Sequence, residues 1–112
     1  MTQRRVVVTG MGMISPIGHT VEASWKAAVA GESGIKLNES FDTTDFAVKI
    51  SGSVRDFDIS PYMNPKEARR IDEFIQLGIA AASQAIQDAG LESHPSDADR
   101  IGVAIGSGIG GI

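Results

Sequence analysis

The 112-residue sequence has no cysteine, which excludes a disulfide framework, a thiolate metal site and a cysteine nucleophile within it. Its two histidines, His19 and His94, are too far apart in sequence to form a local metal-binding motif. An excess of positive charge is also missing, because 10 Lys and Arg stand against 14 Asp and Glu. No basic footprint for nucleic acid follows from this balance. We therefore expect no metal, no other cofactor and no nucleic-acid partner.

Long hydrophobic runs are missing as well. The uncharged apolar stretch from Ile101 to Ile112 is far short of the roughly 20 residues that cross a bilayer. Arg4 and Arg5 precede only a short apolar run, and no small-residue cleavage pattern of a signal peptide follows it. The sequence therefore predicts a soluble, cytoplasmic protein without a membrane partner.

Aliphatic β-branched residues and glycine are abundant. Thirteen Ile and eight Val against three Leu favour buried strands, because β-branched side chains pack well on a pleated surface. The 13 glycines exceed the usual share of about 7%. They cluster in residues 10–18 and 102–111. Clusters of this kind mark tight turns or a close approach of the backbone to another group.

Two β-branched runs predict strands that are covered on both faces. Residues 5–9 and 100–105 lack polar alternation, as do strands of a parallel sheet between helices. Each run leads into a glycine-rich segment, the second being residues 106–111, the glycine loop. Between them, a loop is predicted first, followed by a strand or hairpin in residues 46–55, where apolar and polar residues alternate.

Capping signals predict two helices. Thr20 is a suitable N-cap for a short helix that stops at Gly31. The apolar face of this helix is predicted to consist of Val21, Trp25, Ala28 and Val29. Asn64 and Pro65 begin a second, long helix that Gly90 ends.

The element order β-α-(β)-α-β is typical of the α/β class. A buried strand close to the last residue needs neighbours on both sides, and an apolar edge without them would be adhesive. We therefore expect residues 1–112 to be one incomplete domain, the N-terminal part of something larger.

Two glycine motifs suggest other functions. The segment from Gly10 to Ser15 follows a predicted strand like a dinucleotide fingerprint, but Ser15 replaces its third glycine and the helix starts only near Val21. A nucleotide-binding α/β module stays as the alternative function. Ser107 has no glycine two residues before it and no histidine after it, which excludes a nucleophile elbow.

Three basic residues stand close together at the start of the predicted long helix. Lys66, Arg69 and Arg70 are spaced i, i+3 and i+4, which places them on one helical face. Such a face is either an ordinary solvated surface or a basic patch for an acidic partner, and the spacing alone does not separate the two.

Several separated segments together resemble one family. The sequence resembles the N-terminus of β-ketoacyl-acyl-carrier-protein synthase II, the elongating condensing enzymes of type II fatty-acid synthesis, in order and over essentially all 112 residues. The matching segments are Val6 to Gly18, Phe41-Asp42-Thr43, Arg70-Ile71-Asp72, Asp88-Ala89-Gly90-Leu91, Arg100-Ile101-Gly102 and Ile105 to Gly111. Polyketide and mitochondrial ketosynthases share much of this pattern and remain alternatives.

The resemblance implies a thiolase-like fold, with two α/β halves in a five-layered αβαβα arrangement and usually a homodimer. Residues 1–112 would supply the opening part of the first half. The implied reaction is a decarboxylative Claisen condensation between malonyl-carrier protein and an acyl group held on a cysteine. In the family that cysteine and two histidines lie farther along the chain, so the resemblance implies no catalytic residue here and no activity for these residues alone.

The resemblance implies roles for two groups of residues. Lys66, Arg69 and Arg70 match the basic patch that docks the acidic acyl carrier protein. Ile109 matches the position that lines the far end of the acyl pocket, where its size would limit the length of the acyl chain.

Overall fold

The computed structural model describes residues 2–93 and 95–112, so that His94, for which we expect no metal-binding role, lies outside the described residues. The elements, in chain order, are helix α1 (Val21–Val29), strands β1 (Ile35–Leu37) and β2 (Ile50–Gly52), helices α2 (Pro65–Ala68) and α3 (Glu73–Ala89), and 3₁₀ helices at Leu91–Ser93 and Pro95–Arg100. Helix α3 is the longest of these elements.

Helix α1 begins and ends where the sequence predicts. The Thr20 hydroxyl accepts a hydrogen bond from the Ala23 N–H at 3.1 Å, which satisfies one of the free donors of the first turn. Gly31 adopts a left-handed φ of 76° just after the helix. Its N–H donates to the Ala28 carbonyl, and the Glu32 N–H donates to that of Ala27, which together form a Schellman motif.

The buried face of α1 differs from the predicted one. Ser24 and Ala27 are buried, whereas Trp25 is 71% exposed and Val29 69% exposed. Small residues face inward because the backbone at Gly18 lies close to the helix, where an added Cβ would stand 2.5 Å from the Ser24 nitrogen. The apolar stripe that the periodicity identifies is the exposed one.

A hairpin forms the sheet. Strands β1 and β2 are antiparallel, with Ile35 opposite Gly52 and Leu37 opposite Ile50. The strand predicted within residues 46–55 is confirmed, and its partner lies in a segment that was predicted as loop.

The predicted long helix is interrupted, which corrects the interpretation of residues 64–90 as one helix. The Asn64 side chain caps α2 as predicted, accepting from the Lys66 N–H at 2.9 Å. Helix α2 then ends, and residues 69–72 form the α2–α3 link. Asp72 is extended, with φ −67° and ψ 153°, and starts α3 as its N-cap. The predicted end at Gly90 is confirmed by its left-handed φ of 67°.

One side chain explains why the interruption is stable. The Gln76 amide nitrogen donates to the carbonyl oxygens of Ala68, at 2.9 Å, and Ile71, at 3.4 Å. The Ile71 carbonyl would otherwise lack the partner that a continuous helix provides, whereas the Ala68 carbonyl also accepts from the Ile71 N–H at 3.3 Å. The spacing of apolar residues does not reveal that a side-chain amide bonds carbonyl groups at the point where the helix is interrupted.

The two predicted buried strands are not formed within residues 2–93 and 95–112, where the one sheet is the hairpin. Val6 is 94% exposed, Val8 80% and Val103 79%. Arg100 belongs to the second 3₁₀ helix instead of opening a strand. A buried strand needs hydrogen-bonded neighbours for its backbone, and the described part of the chain provides none for these two runs.

Small residues form the core around α3. Ala80 is fully buried, and Ala68 and Ala27 are nearly so. Glycine allows the segment after the first β-branched run to lie directly on this helix. A Cβ at Gly10 would stand 2.5 Å from the Ala85 carbonyl oxygen, and one at Gly12 would overlap that of Ala81.

Candidate functional site

The three predicted docking residues lie at and after helix α2. Lys66 is within α2, Arg69 is its C-cap, and Arg70 follows in the α2–α3 link. All three side chains are exposed. They therefore do not share one face of a continuous helix, since α2 has ended before Arg70. A cation at the end of α2 lies near its free carbonyl groups, where positive charge is favoured.

Ile109 lies in the glycine loop and is 79% exposed. Its neighbour Gly110 has a left-handed φ of 81°, which residues with a side chain rarely adopt. A Cβ added to Gly110 would contact the Phe74 ring at 3.6 Å. The glycine loop therefore lies over the first turn of α3.

The structure brings the end of the α2–α3 link and the glycine loop together. Asp72, the last residue of the α2–α3 link, is so close to Gly111 that a Cβ there would overlap its carboxylate. Arg69 and Arg70 belong to the same link, and Ile109 to the same loop. The sequence does not reveal Asp72 or Phe74 as part of this site, because the match at Arg70-Ile71-Asp72 assigns Asp72 no role and Phe74 lies outside the matching segments.

A cleft borders the same elements. It has a volume of about 1050 Å³ and lies between the hairpin, the start of α3 and the end of the glycine loop. Its charged lining includes Arg55, Asp56, Asp72 and Glu73, beside the apolar Phe74 and Leu77. Asp56 has a left-handed φ of 55°, uncommon for a non-glycine residue.

The segment predicted as a possible dinucleotide fingerprint is occupied by side chains of α3. The Met11 N–H donates to the Asp88 carboxylate at 2.9 Å, and the Met13 N–H donates to the Gln84 side-chain oxygen at 3.0 Å. A pyrophosphate needs free N–H groups and a helix N-terminus at this point. Here the N–H groups are used, and a carboxylate would repel the phosphates. The geometry therefore disfavours nucleotide binding.

Two carboxyl groups outside the site have perturbed pKa values. A hydrogen bond from the Thr44 hydroxyl, supported by the Thr44 N–H, lowers the pKa of Asp42. The N–H and hydroxyl of Ser60 lower the pKa of Asp58 in the same way. Both groups are exposed turn residues, and these bonds stabilise local turns.

Neither a metal site nor a membrane span is found in the part of the chain that the structure describes. Within it, no group of three or more His, Asp or Glu side chains is arranged to hold a metal ion. No helix of residues 2–93 and 95–112 has both the length and the apolar character needed to cross a bilayer.

Comparison with known proteins identifies the family. The β-ketoacyl synthase N-terminal domain matches residues 3–112. The 3-oxoacyl-[acyl-carrier-protein] synthase 2 of Vibrio cholerae is 61% identical over 112 residues, which is 100% of this chain and 27% of that protein. Its namesake from Staphylococcus aureus strain COL is 47% identical over 109 residues, or 97% of this chain and 26% of that protein.

A solved structure supports the fold. The ishigamide ketosynthase/chain length factor superposes with a TM-score of 0.70 at 36% identity, over 80% of this chain and 22% of that one. The chain thus spans about a quarter of the length of the curated relatives it matches. The resemblance of the separated motifs is confirmed, and the fold is of the ketosynthase type. The chain belongs to the β-ketoacyl synthase family, within its N-terminal domain.

Proposed function

We propose that residues 1–112 form the opening part of the N-terminal domain of a 3-oxoacyl-[acyl-carrier-protein] synthase that elongates fatty acids. The observation that carries this proposal is the 61% identity to the Vibrio cholerae synthase, which extends over all 112 residues. By the same resemblance, the enzyme is an acyltransferase of five-layered thiolase-like fold that works as a cytoplasmic homodimer.

The proposed reaction has two stages. An acyl group first passes from the thiol of its carrier protein to a cysteine of the enzyme, which forms a thioester. Malonyl-carrier protein then loses CO₂, and the resulting carbanion attacks that thioester, so that a carbon–carbon bond forms and the cysteine thiolate leaves. Because residues 1–112 contain no cysteine, the nucleophile belongs to another part of the enzyme. These residues alone are therefore expected to be inactive.

The proposed role of Lys66, Arg69 and Arg70 is to dock the acidic carrier protein. Their exposure and their position around one short helix and its end support this role, since three cations lie close together there, offset in part by the exposed Glu67. Such a group of cations increases the encounter rate with an acidic partner and orients it.

The proposed role of Ile109 is to close the far end of the acyl pocket. It is exposed within residues 2–93 and 95–112, so its side chain is available to a bound acyl tail or to a further part of the enzyme. Its glycine neighbours leave room for the backbone to approach another group closely.

A chimera tests the function. Residues 1–112 would replace the matching residues of the Vibrio cholerae synthase, and the 3-oxoacyl product would be measured by mass spectrometry with acyl- and malonyl-carrier protein. We expect condensation at a rate comparable to that of the parent synthase. A correctly folded chimera without condensation would contradict the proposal.

The same chimera separates the alternatives. The second candidate is a polyketide-type ketosynthase, because the ishigamide ketosynthase/chain length factor, at 36% identity, shows that the fold is not confined to the synthase 2 relatives. Condensation only with a polyketide carrier protein would support that candidate. A titration with NAD or ATP is expected to show no saturable binding, because the N–H groups of Met11 and Met13 are already paired.

A further inference from the structure

Asp72 and Gly111 are fitted to one another. A Cβ built on Gly111 would stand 2.5 Å from the Asp72 side-chain carboxyl carbon and 3.0 Å from its Cβ. Carbon atoms that are not bonded do not approach so closely. The glycine loop therefore reaches this position beside the Asp72 carboxylate only because residue 111 lacks a side chain.

The Asp72 carboxylate does not serve its own helix. An aspartate at the N-cap usually accepts a hydrogen bond from the first-turn N–H groups, but Asp72 makes no such side-chain bond. Only its backbone carbonyl accepts from the helix, from the N–H groups of Ile75 and Gln76. Helix capping therefore does not explain the position of this side chain, whereas contact with the glycine loop does.

Phe74 supports the loop at a second point. Its ring lies 3.6 Å from where a Cβ of Gly110 would stand, and Gly110 has the left-handed backbone that glycine favours. The residue before these two anchored glycines is Ile109. The backbone of Ile109 is therefore limited by the close approach of the next two residues to Phe74 and Asp72.

The other end of the α2–α3 link carries the cations of the proposed docking surface. Arg69 and Arg70 are separated from Asp72 by at most two residues. The link is short, and the Gln76 amide donates to the carbonyl of Ala68, just before it, and to that of Ile71 within it. A partner bound at the two arginines therefore acts on a segment that ends at the glycine loop.

We propose that Asp72 is a positioning residue, which sets the place of the glycine loop and couples carrier-protein docking at Arg69 and Arg70 to Ile109. The coupling to docking rests on the proposed function. The contact between Asp72 and the loop does not, so the two parts are tested separately.

Hydrogen exchange of the chimera tests the contact without any need for activity. The Gly111→Ala variant is expected to increase the exchange rates of amides 108–111 by at least about threefold, and adding Asp72→Gly should restore them, as coupled neighbours do. Gly108→Ala is the control, because a Cβ there meets nothing within 4 Å. Independent, additive effects of the two substitutions would overturn the proposal.

Carrier binding tests the coupling. Acyl-carrier protein is expected to slow exchange of amides 108–111 in the unsubstituted chimera and not in Asp72→Ala, while its affinity changes by less than about twofold. An equal response in both proteins would overturn the coupling.

Product analysis gives the enzymatic readout. Asp72→Ala should reduce kcat for the longest acyl chains more than for short ones, with the KM for carrier protein unchanged. Asp72→Asn, which keeps the shape of the side chain, should retain the original chain-length profile. An equal loss for all chain lengths would contradict positioning.

If the unsubstituted chimera bound no carrier protein and did not condense, the proposed function would fail, and the exchange experiment with Gly111→Ala would still decide the contact.

Discussion

At the scale of single residues, Gln84 connects two distant segments of the chain to helix α3 with one amide group. Its oxygen accepts from the Met13 N–H, and its nitrogen donates to the His19 carbonyl at 2.7 Å and to the Tyr62 hydroxyl at 2.8 Å. Tyr62 in turn stacks on Phe57, with ring centroids 6.2 Å apart. The loop before α1 and the segment before α2 are thus held against α3 by one side chain.

Truncating this amide is expected to destabilise the fold. Gln84→Ala leaves a backbone N–H and a carbonyl without partners, which costs about 1–3 kcal/mol of unfolding free energy. Gln87→Ala, an exposed position on the same helix, is the matched control and should be nearly neutral. Urea denaturation of the chimera measures both. Equal midpoints for the two variants would show that Gln84 is not the connecting residue.

The proposed docking residues give a prediction about charge. Lys66→Glu combined with Arg69→Glu should weaken carrier-protein binding and reduce its dependence on salt, since two attractive charges become repulsive. Lys26→Glu, an exposed cation on α1, serves as control and should have little effect. Fluorescence anisotropy at two ionic strengths measures the affinities. An affinity at low salt that the double substitution leaves unchanged is the result that counts against docking.

The proposed pocket residue gives a prediction about size. Ile109→Phe adds volume at the far end of the acyl pocket, so the chimera should accept only shorter acyl chains. The longest accepted chain is read from the masses of the products. A folded variant that still elongates long chains normally would contradict the pocket role, whereas Ile109→Val should leave short-chain elongation intact.

At the scale of elements, the caps decide where helices begin and end. Thr20, Gly31, Asn64 and Gly90 were all predictable, because each acts through hydrogen bonds or dihedral angles of its immediate neighbours. The interruption between α2 and α3 was not predictable, because it depends on an amide of Gln76 that returns to carbonyls up to eight residues earlier.

The cap of α1 is directly testable. Thr20→Ala removes the hydroxyl that accepts from the Ala23 N–H and should cost about 1 kcal/mol of stability. Thr20→Ser keeps an oxygen at this place and should lose much less. Thermal denaturation of the chimera compares the two. A serine variant as unstable as the alanine variant would indicate that the methyl group, and not the cap, is what matters.

At the scale of the whole molecule, the described chain leaves much of its apolar surface uncovered. Its radius of gyration is 17.4 Å, against about 13 Å for a compact domain of roughly 100 residues. Val6, Val8, Val103 and Ile105 are each at least 66% exposed. This surface is where further contacts of the family fold are expected, since unpaired apolar segments are not stable in water.

The exposed surface predicts how the isolated chain behaves. Residues 1–112 alone should bind a hydrophobic dye such as ANS strongly and self-associate in size-exclusion chromatography, because their β-branched runs have no partner. The chimera should bind little dye, since the rest of the synthase covers these runs. An isolated chain that is monomeric and does not bind the dye would disprove this expectation.

Local features and the family follow from residue types alone. These features are the helix caps, the hairpin strand near Ile50 and the separated motifs. Each depends on residue types at short spacing, and the same short segment forms the same local structure wherever it occurs. The β-branched runs, by contrast, show only that a segment is suited to a strand. Whether it forms one depends on partners elsewhere in the chain.

Contacts between distant segments follow from the folded arrangement and not from local sequence. Met11 meets Asp88 across 77 residues, and the His19 carbonyl meets Gln84 across 65. The approach of Gly111 to Asp72 is of the same kind. Such contacts depend on how the elements pack. Asp72 could cap α3 with its side chain, but in the structure this side chain lies beside the glycine loop. For that reason the approach of the glycine loop to the end of the α2–α3 link appears only when the chain is folded.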